Sequence, residues 1–159
     1  MIGIISDTHD NIPNIKKAVD IFKNRKVDLV IHLGDLVAPV TALYFKGLKM
    51  KFIKGNCDGD VELMKERIKE IGGEFLGISS ELNLSNKKLF LIHKPDNINE
   101  LALSGKYDYI LHGHDHKAKD EKIGKTRIIN PGTHYLGNPI HTIALLDLEK
   151  DNVEFIEIK

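Results

Sequence analysis

Short apolar runs punctuate the chain, and they carry two different periods. Ile2 to Ser6 is an uninterrupted, Ile-rich run, which suits a strand covered on both faces, as in a parallel α/β sheet. Ile15, Val19 and Phe22 then recur at helical spacing, with Lys16, Lys17 and Lys23 on other faces. Asn11-Ile12-Pro13 supplies the start of that helix, since Pro is favoured in the first turn. VDLVIHLGD gives a second buried strand ending at Gly34-Asp35, residues from about Pro39 to Leu48 read as a second helix, and MKFIKGNCD gives a third strand ending at Asn56. DVELMKERIKEIGG is strongly helical and closes on a Gly pair that suits a C-cap.

The second half changes period. ISSELNLSNKKLFLIH reads as two strands around a Ser-Asn turn, the latter ending at His93. A short helix from about Asn97 to Ser104 leads to YDYILHGHDH, a strand ending in a His cluster. KAKDEKIGKTRIIN and HTIALLDLEKDNVEFIEIK each read as a hairpin, with turns at Gly124 and near Asp151-Asn152. A βαβαβα half followed by hairpins and one helix predicts an α/β protein of two facing sheets with helices outside. No linker, repeat or low-complexity tract interrupts it, so residues 1–159 read as one domain.

Composition narrows the function. The 23 basic residues match the 23 acidic ones, which argues against gripping long nucleic acid or an anionic membrane. Arg is scarce (Arg25, Arg67 and Arg127), so no phosphate-clamping Arg cluster is evident. The single Cys57 excludes an intrachain disulfide framework and fits a reducing compartment. The opening apolar run is too short for a signal peptide or a membrane span. The expectation is a soluble, cytoplasmic protein. Eight histidines are the unusual count.

Their placement carries the chemistry. Five expected strands end in metal-ligating residue types: Asp7 and His9, Asp35, Asn56, His93, then His114 and His116. In open α/β sheets, ligands bind outside the carboxyl ends of the strands. Three Asp/Asn oxygens with four imidazoles suit Mn²⁺, Fe²⁺, Zn²⁺, Ni²⁺ or Co²⁺ and are too nitrogen-rich for Ca²⁺. Seven donors exceed what one ion needs if a water must also fit. Two ions sharing a carboxylate use them naturally.

DTH at 7–9, GD at 34–35, GNCD at 55–58, His93 and GHDH at 113–116 resemble the ordered motifs of the calcineurin-like metallophosphoesterases. The resemblance runs through most of the chain. It is nearest to the small archaeal and bacterial phosphodiesterase branch, which includes the metallophosphoesterase-like subunit of the retromer coat. It implies a four-layer αββα sandwich. It also implies that Asp7, His9 and His116 hold one ion, that Asn56, His93 and His114 hold a second, and that Asp35 bridges them. Metal-bound hydroxide would then be the nucleophile on a small phosphoester substrate, with the paired ions clamping the phosphoryl oxygens. A homodimer is left open.

Two positions depart from the family pattern. Many relatives carry His where this chain has Cys57, and Gly where His93 is followed by Lys94-Pro95. Cys57 is either a small packed thiol or an influence on the chemistry, where nearby dications would favour its thiolate. Lys94 is either a solvated lysine or a phosphate-binding charge. Asp58 either orients Cys57 or a site water, or caps the following helix. Asn11 either caps its helix or reaches substrate or a site water. His32 reads as a satisfied core residue, His112 as part of the site wall, and His134 and His141 as members of a loop near the site. The expected activity is a dinuclear-metal phosphodiesterase, with a phosphomonoesterase or nucleotide phosphatase as runner-up. A non-catalytic interaction scaffold is the rival from another class.

Overall fold

The structure is a computed structural model describing residues 1–159. Its first sheet has six strands in the order β11-β10-β1-β2-β3-β4. These are β1 (Ile2–Ile5), β2 (Leu29–His32), β3 (Met50–Phe52), β4 (Glu74–Phe75), β10 (Thr142–Asp147) and β11 (Asn152–Glu157). The second sheet has five, in the order β5-β6-β7-β9-β8: β5 (Ser79–Leu84), β6 (Lys87–Ile92), β7 (Tyr109–Leu111), β8 (Ala118–Ile123) and β9 (Thr126–Pro131). β1 to β4 run parallel, as do β6, β7 and β9, while the hairpin partners pair antiparallel. Both sheets are therefore mixed.

Alternation along the strands builds three apolar layers. Ile2, Ile4, Leu29 and Ile31 of the first sheet meet Leu89, Leu91, Leu111 and Ile129 of the second in the central layer. The opposite face of the first sheet, with Ile5, Val30, Met50 and Phe52, packs on Ile15, Val19 and Phe22 of α1 (Ile12–Asn24) and on Met64 and Ile68 of α2 (Val61–Glu70). On the far side, Ala102 of α3 (Ile98–Leu103) packs on Ile110 and Ile128. The result is the αββα sandwich.

Local chemistry explains the ends. Asn11 caps α1 by accepting from the Asn14 N–H at 3.3 Å, with Pro in the first turn. Ser85 and Asn86 both have positive φ, 49° and 59°, as the two-residue turn between β5 and β6 requires. Two features differ from the sequence reading, and a third settles a sheet assignment that it did not make. Residues Pro39–Phe45 form a 3₁₀ helix, whose tighter turn buries Thr41, Ala42 and Phe45. The two-residue β4 follows the Gly pair. The last hairpin joins the first sheet through β10, beside β1.

His32 lies in the helix-side layer, stacked on Phe52 at 5.5 Å between ring centroids. Its Nδ1 accepts from the Gly34 N–H at 3.2 Å, so Nε2–H donates to Thr8 Oγ1 at 3.0 Å. Full burial holds its pKa down at about 4. A neutral histidine favoured by folding contributes stability that is complete above pH ~6.5 and is lost as pH falls from there toward the folded value. Between pH 7 and 5 that loss is about 2 kcal/mol. Urea unfolding of metal-free protein should show it, and His32→Asn, which keeps an acceptor but does not titrate, should lose about 2 kcal/mol less over the same interval. Equal losses in the two proteins would refute this origin.

Candidate metal centre

Loops leaving the strands converge at one edge of the sandwich, stitched together by backbone hydrogen bonds. The loop after β1 runs beside the loop after β2: the Asp7, His9 and Asp10 N–H groups donate to the Gly34, Asp35 and Leu36 carbonyls at 3.0, 3.0 and 3.3 Å. The second sheet is tied in where the His114 N–H donates to Asp7 Oδ2 at 3.0 Å and the Gly113 N–H donates to the His93 carbonyl at 3.0 Å. Thr133 Oγ1 and the His134 N–H both donate to the Asp7 carbonyl, at 3.1 and 2.9 Å.

Close approach sets two glycines. A Cβ on Gly55 would lie 2.2 Å from the Asp35 backbone nitrogen, and one on Gly113 would lie 2.0 Å from Ser6 Oγ. Five candidate ligands, Asp7, His9, Asp35, His114 and His116, have φ between 41° and 72°. Such conformations are uncommon outside Gly and cluster at functional sites.

All seven candidate ligands meet here. Asp7, His9 and His116 present one donor atom each within 4.8 Å of one another, and so do Asp7, Asp35 and His93. His116 Nε2 is 3.2 Å from Asp7 Oδ1 and 3.3 Å from His9 Nε2. Asp35 turns one oxygen to His93 Nε2 at 3.4 Å and the other to His9 Nε2 at 3.7 Å. Asn56 Oδ1 is 3.0 Å from both His93 Nε2 and His114 Nδ1.

The electrostatics of this cluster fit cations. His93 Nδ1–H donates to the Leu33 carbonyl at 2.8 Å, so the neutral ring turns a lone pair on Nε2 toward the Asn56 and Asp35 oxygens. Acceptors then face acceptors, which either a proton on Nε2, favoured by the carboxylates in the metal-free protein, or a divalent cation between them satisfies. Asp7 Oδ1 is buried without a hydrogen-bond partner, and burial pushes the Asp7 carboxyl above its ordinary range. Burial opposes the ionisation of Asp35 too, but His93 and the Cys57 N–H outweigh it and hold the carboxyl well below the usual range. Burial likewise opposes charging of His93, and Asp35 and Asp7 overcome it and push its pKa up.

The other singled-out residues separate clearly. Asp58 does not cap α2, which Asp60 caps by accepting from the Leu63 N–H at 3.0 Å. Instead the Asp58 carboxylate accepts from the N–H groups of Gly55, Asp35 and Val37 at 2.6, 3.1 and 2.8 Å, which holds the Asp35 loop. Cys57 is exposed, with its Sγ 3.3 Å from Asn56 Nδ2 and near His9 and Asp35. Burial and then the Asp35, Asp58 and Asp7 carboxylates push its thiol up to about 11 in the metal-free protein. That direction is opposite to the one nearby dications impose, because burial and then three nearby carboxylates disfavour the thiolate. Asn11 uses both ends, capping α1 and donating from Nδ2 to the His134 carbonyl at 2.8 Å. His112 and His134 are buried, and Lys94 is exposed beside a cleft.

Three residues carried no sequence signal. Asp10 accepts from the Ala38 N–H at 3.1 Å and from Thr41 Oγ1 at 2.6 Å, which pins the loop after β1 to the start of the 3₁₀ helix. Asn130 Nδ2 donates to the Gly113 carbonyl at 3.0 Å. The half-exposed Tyr135 ring stands 5.2 Å from that of His9 and 5.5 Å from that of His116. Each depends on contacts distant in sequence.

A four-layer sandwich with an Asp/Asn/His cluster at one edge defines the metallophosphoesterase class. The model of the calcineurin-like phosphoesterase superfamily domain matches residues 1–151, and the chain belongs to that superfamily. It is an enzyme, a phosphoric ester hydrolase. It is 38% identical over 156 residues to phosphodiesterase MJ0936 of Methanocaldococcus jannaschii, covering 94% of this chain and 93% of that one. It is 28% identical to a probable metallophosphoesterase of Methanothermobacter thermautotrophicus, over 98% and 91% of the two chains. The solved structure of an archaeal phosphodiesterase superposes with a TM-score of 0.92 at 34% identity, covering 98% of both chains. Vps29 of Entamoeba histolytica in complex with Zn²⁺ superposes with a TM-score of 0.72 over 99% of both chains; at 18% identity that likeness is of fold. No helix is long and apolar enough to cross a membrane.

Proposed function

We propose that the chain, as one domain over residues 1–159, is a dinuclear-metal phosphodiesterase acting on small phosphodiesters in the cytoplasm. One observation carries the reading. Seven oxygen and nitrogen donors face each other across a buried floor, with Asn56 Oδ1 3.0 Å from two imidazole nitrogens and Asp7 Oδ1 without a partner. Asp7, His9 and His116 hold one divalent cation, Asn56, His93 and His114 hold a second, and Asp35 is shared. Mn²⁺, Ni²⁺, Fe²⁺, Zn²⁺ and Co²⁺ all suit this donor set. Bound there, such ions supply Lewis acidity that neutralises phosphoryl charge and lowers the pKa of water.

The chain's own residues set what that chemistry acts on. The Leu33 carbonyl fixes the His93 tautomer so that Nε2 faces inward. Asp58 and Asp10 hold the Asp35 loop from two sides. The balanced charge of the chain favours a small substrate over long nucleic acid or a membrane surface. Cys57 stands where an imidazole would be the better proton donor, so diesters with acidic leaving groups are favoured over alkyl monoesters. The family membership and the 38% identity to a phosphodiesterase support the diester assignment.

Chelation followed by reloading tests this. Metal-stripped protein should lose hydrolysis of bis(p-nitrophenyl) phosphate and recover it with Mn²⁺ or Ni²⁺, and elemental analysis should find about two ions per chain. Full turnover by thoroughly stripped protein would end the proposal.

A further inference from the structure

A cleft of about 190 Å³ opens beside Asn56 and His93, walled by Ile78 and Ile92 and flanked by Lys54 and Lys94. No carboxylate lines it. Neither lysine is within ion-pair distance of an acidic group, as is true of most lysines in the chain, so what marks these two is their place at the mouth of the cleft. The Lys54 backbone is anchored, its N–H donating to the Gly77 carbonyl at 2.8 Å. Its Nζ donates to the Gly55 carbonyl at 2.8 Å, which keeps the ammonium next to Asn56 with further N–H donors unused. Lys94 follows His93 directly and is exposed. Two ammonium groups without acidic partners, on one side of a cluster built to face a phosphoryl group, ask for an anion.

We propose that this cleft is an anion subsite. It receives a further phosphate, or a carboxylate, carried on one arm of the phosphodiester whose scissile group lies over the Asp/Asn/His cluster; the proposal rests on the diesterase reading above. The exposed Ile78 and half-buried Ile92 then cover the carbon skeleton that links the two anionic groups. The substrate class is a diester with a second anionic group a few bonds from the scissile phosphorus, as in a phosphorylated sugar or nucleoside. Both lysines contribute as point charges, so selectivity is for charge rather than for one geometry.

Two esters with the same scissile and leaving groups test it. These are the p-nitrophenyl ester of thymidine 5′-monophosphate and the same ester carrying a 3′-phosphate, each offered to Mn²⁺-loaded protein. The 3′-phosphorylated ester should have a kcat/KM roughly tenfold higher, expressed in KM and reduced by salt. In the double variant Lys54→Gln/Lys94→Gln the ratio should approach one. Calorimetric titration should agree without any turnover: thymidine 3′,5′-bisphosphate should bind the wild-type protein more tightly than thymidine 5′-monophosphate, and the two should bind the double variant alike. Equal kcat/KM for the two esters in the wild-type protein, or a preference that survives in the double variant, overturns the subsite alone. Turnover of neither ester overturns the diesterase reading and the subsite with it.

Discussion

Asp35→Asn lowers phosphodiester turnover by about three orders of magnitude while the fold survives. The substitution keeps shape and an oxygen for the Cys57 N–H, which Asp35 Oδ1 accepts at 2.8 Å. What it removes is charge. Asp35 is 2% exposed and turns one oxygen to His93 and the other to His9, so in the proposed assignment both ions lose attraction together. Lewis-acid stabilisation supplies several kcal/mol in such sites, and each 1.36 kcal/mol is a factor of ten in rate. The measurement is kcat for bis(p-nitrophenyl) phosphate beside elemental analysis and a thermal melt. Wild-type turnover with both ions retained would remove Asp35 from the shared position.

Asp58→Ala destabilises the metal-free protein by about 3–5 kcal/mol, because buried donors left unsatisfied cost about 1–3 kcal/mol each. The carboxylate accepts from three backbone N–H groups, those of Gly55, Asp35 and Val37. The donors belong to loops whose residues include Gly34, Asp35 and Val37 at φ of 98°, 56° and 84°, conformations that a β-branched residue such as Val37 rarely adopts. Asp58→Asn retains one acceptor oxygen and should fall between the two proteins. Urea unfolding without metal isolates the structural part from any change in ion binding. A loss under about 1 kcal/mol for Asp58→Ala would place the restraint on these loops elsewhere.

The candidate centre is legible in the sequence because buried parallel strands announce themselves as unbroken apolar runs. Asp7 follows Ile2–Ile5 and His93 follows Lys87–Ile92 with little room for error. Asn56 is less direct, standing four residues beyond the end of β3 at Phe52; the Gly-Asn pair rather than the strand marks it. Sheet membership is where local pattern stops. Nothing in the alternation of Thr142–Asp147 distinguishes a hairpin in the second sheet from an insertion beside β1, since long-range pairing decides it. The 3₁₀ helix has the apolar spacing of a short α-helix, and its tighter turn is set by the site it fills under α1 and α2. Asp58 reads either as a group orienting Cys57 or a site water or as a helix cap, since Asp commonly is one; its three backbone partners become visible only when the loops after β2 and β3 lie side by side.

The donors come from both sheets: Asp7, Asp35 and Asn56 follow strands of the first, and His93, His114 and His116 follow strands of the second. Asp7 and His116 stand 3.2 Å apart at their donor atoms yet 109 positions apart along the chain (116 − 7). Closing loops of that length comes late and slowly in a folding reaction. Each sheet can gain its hydrogen bonds before the other docks, but neither holds a full donor set alone. Catalytic competence is therefore a clock for the final docking event. On refolding it lags the return of secondary structure, and a nascent chain acquires it only once the segment bearing His114 and His116 has been synthesised.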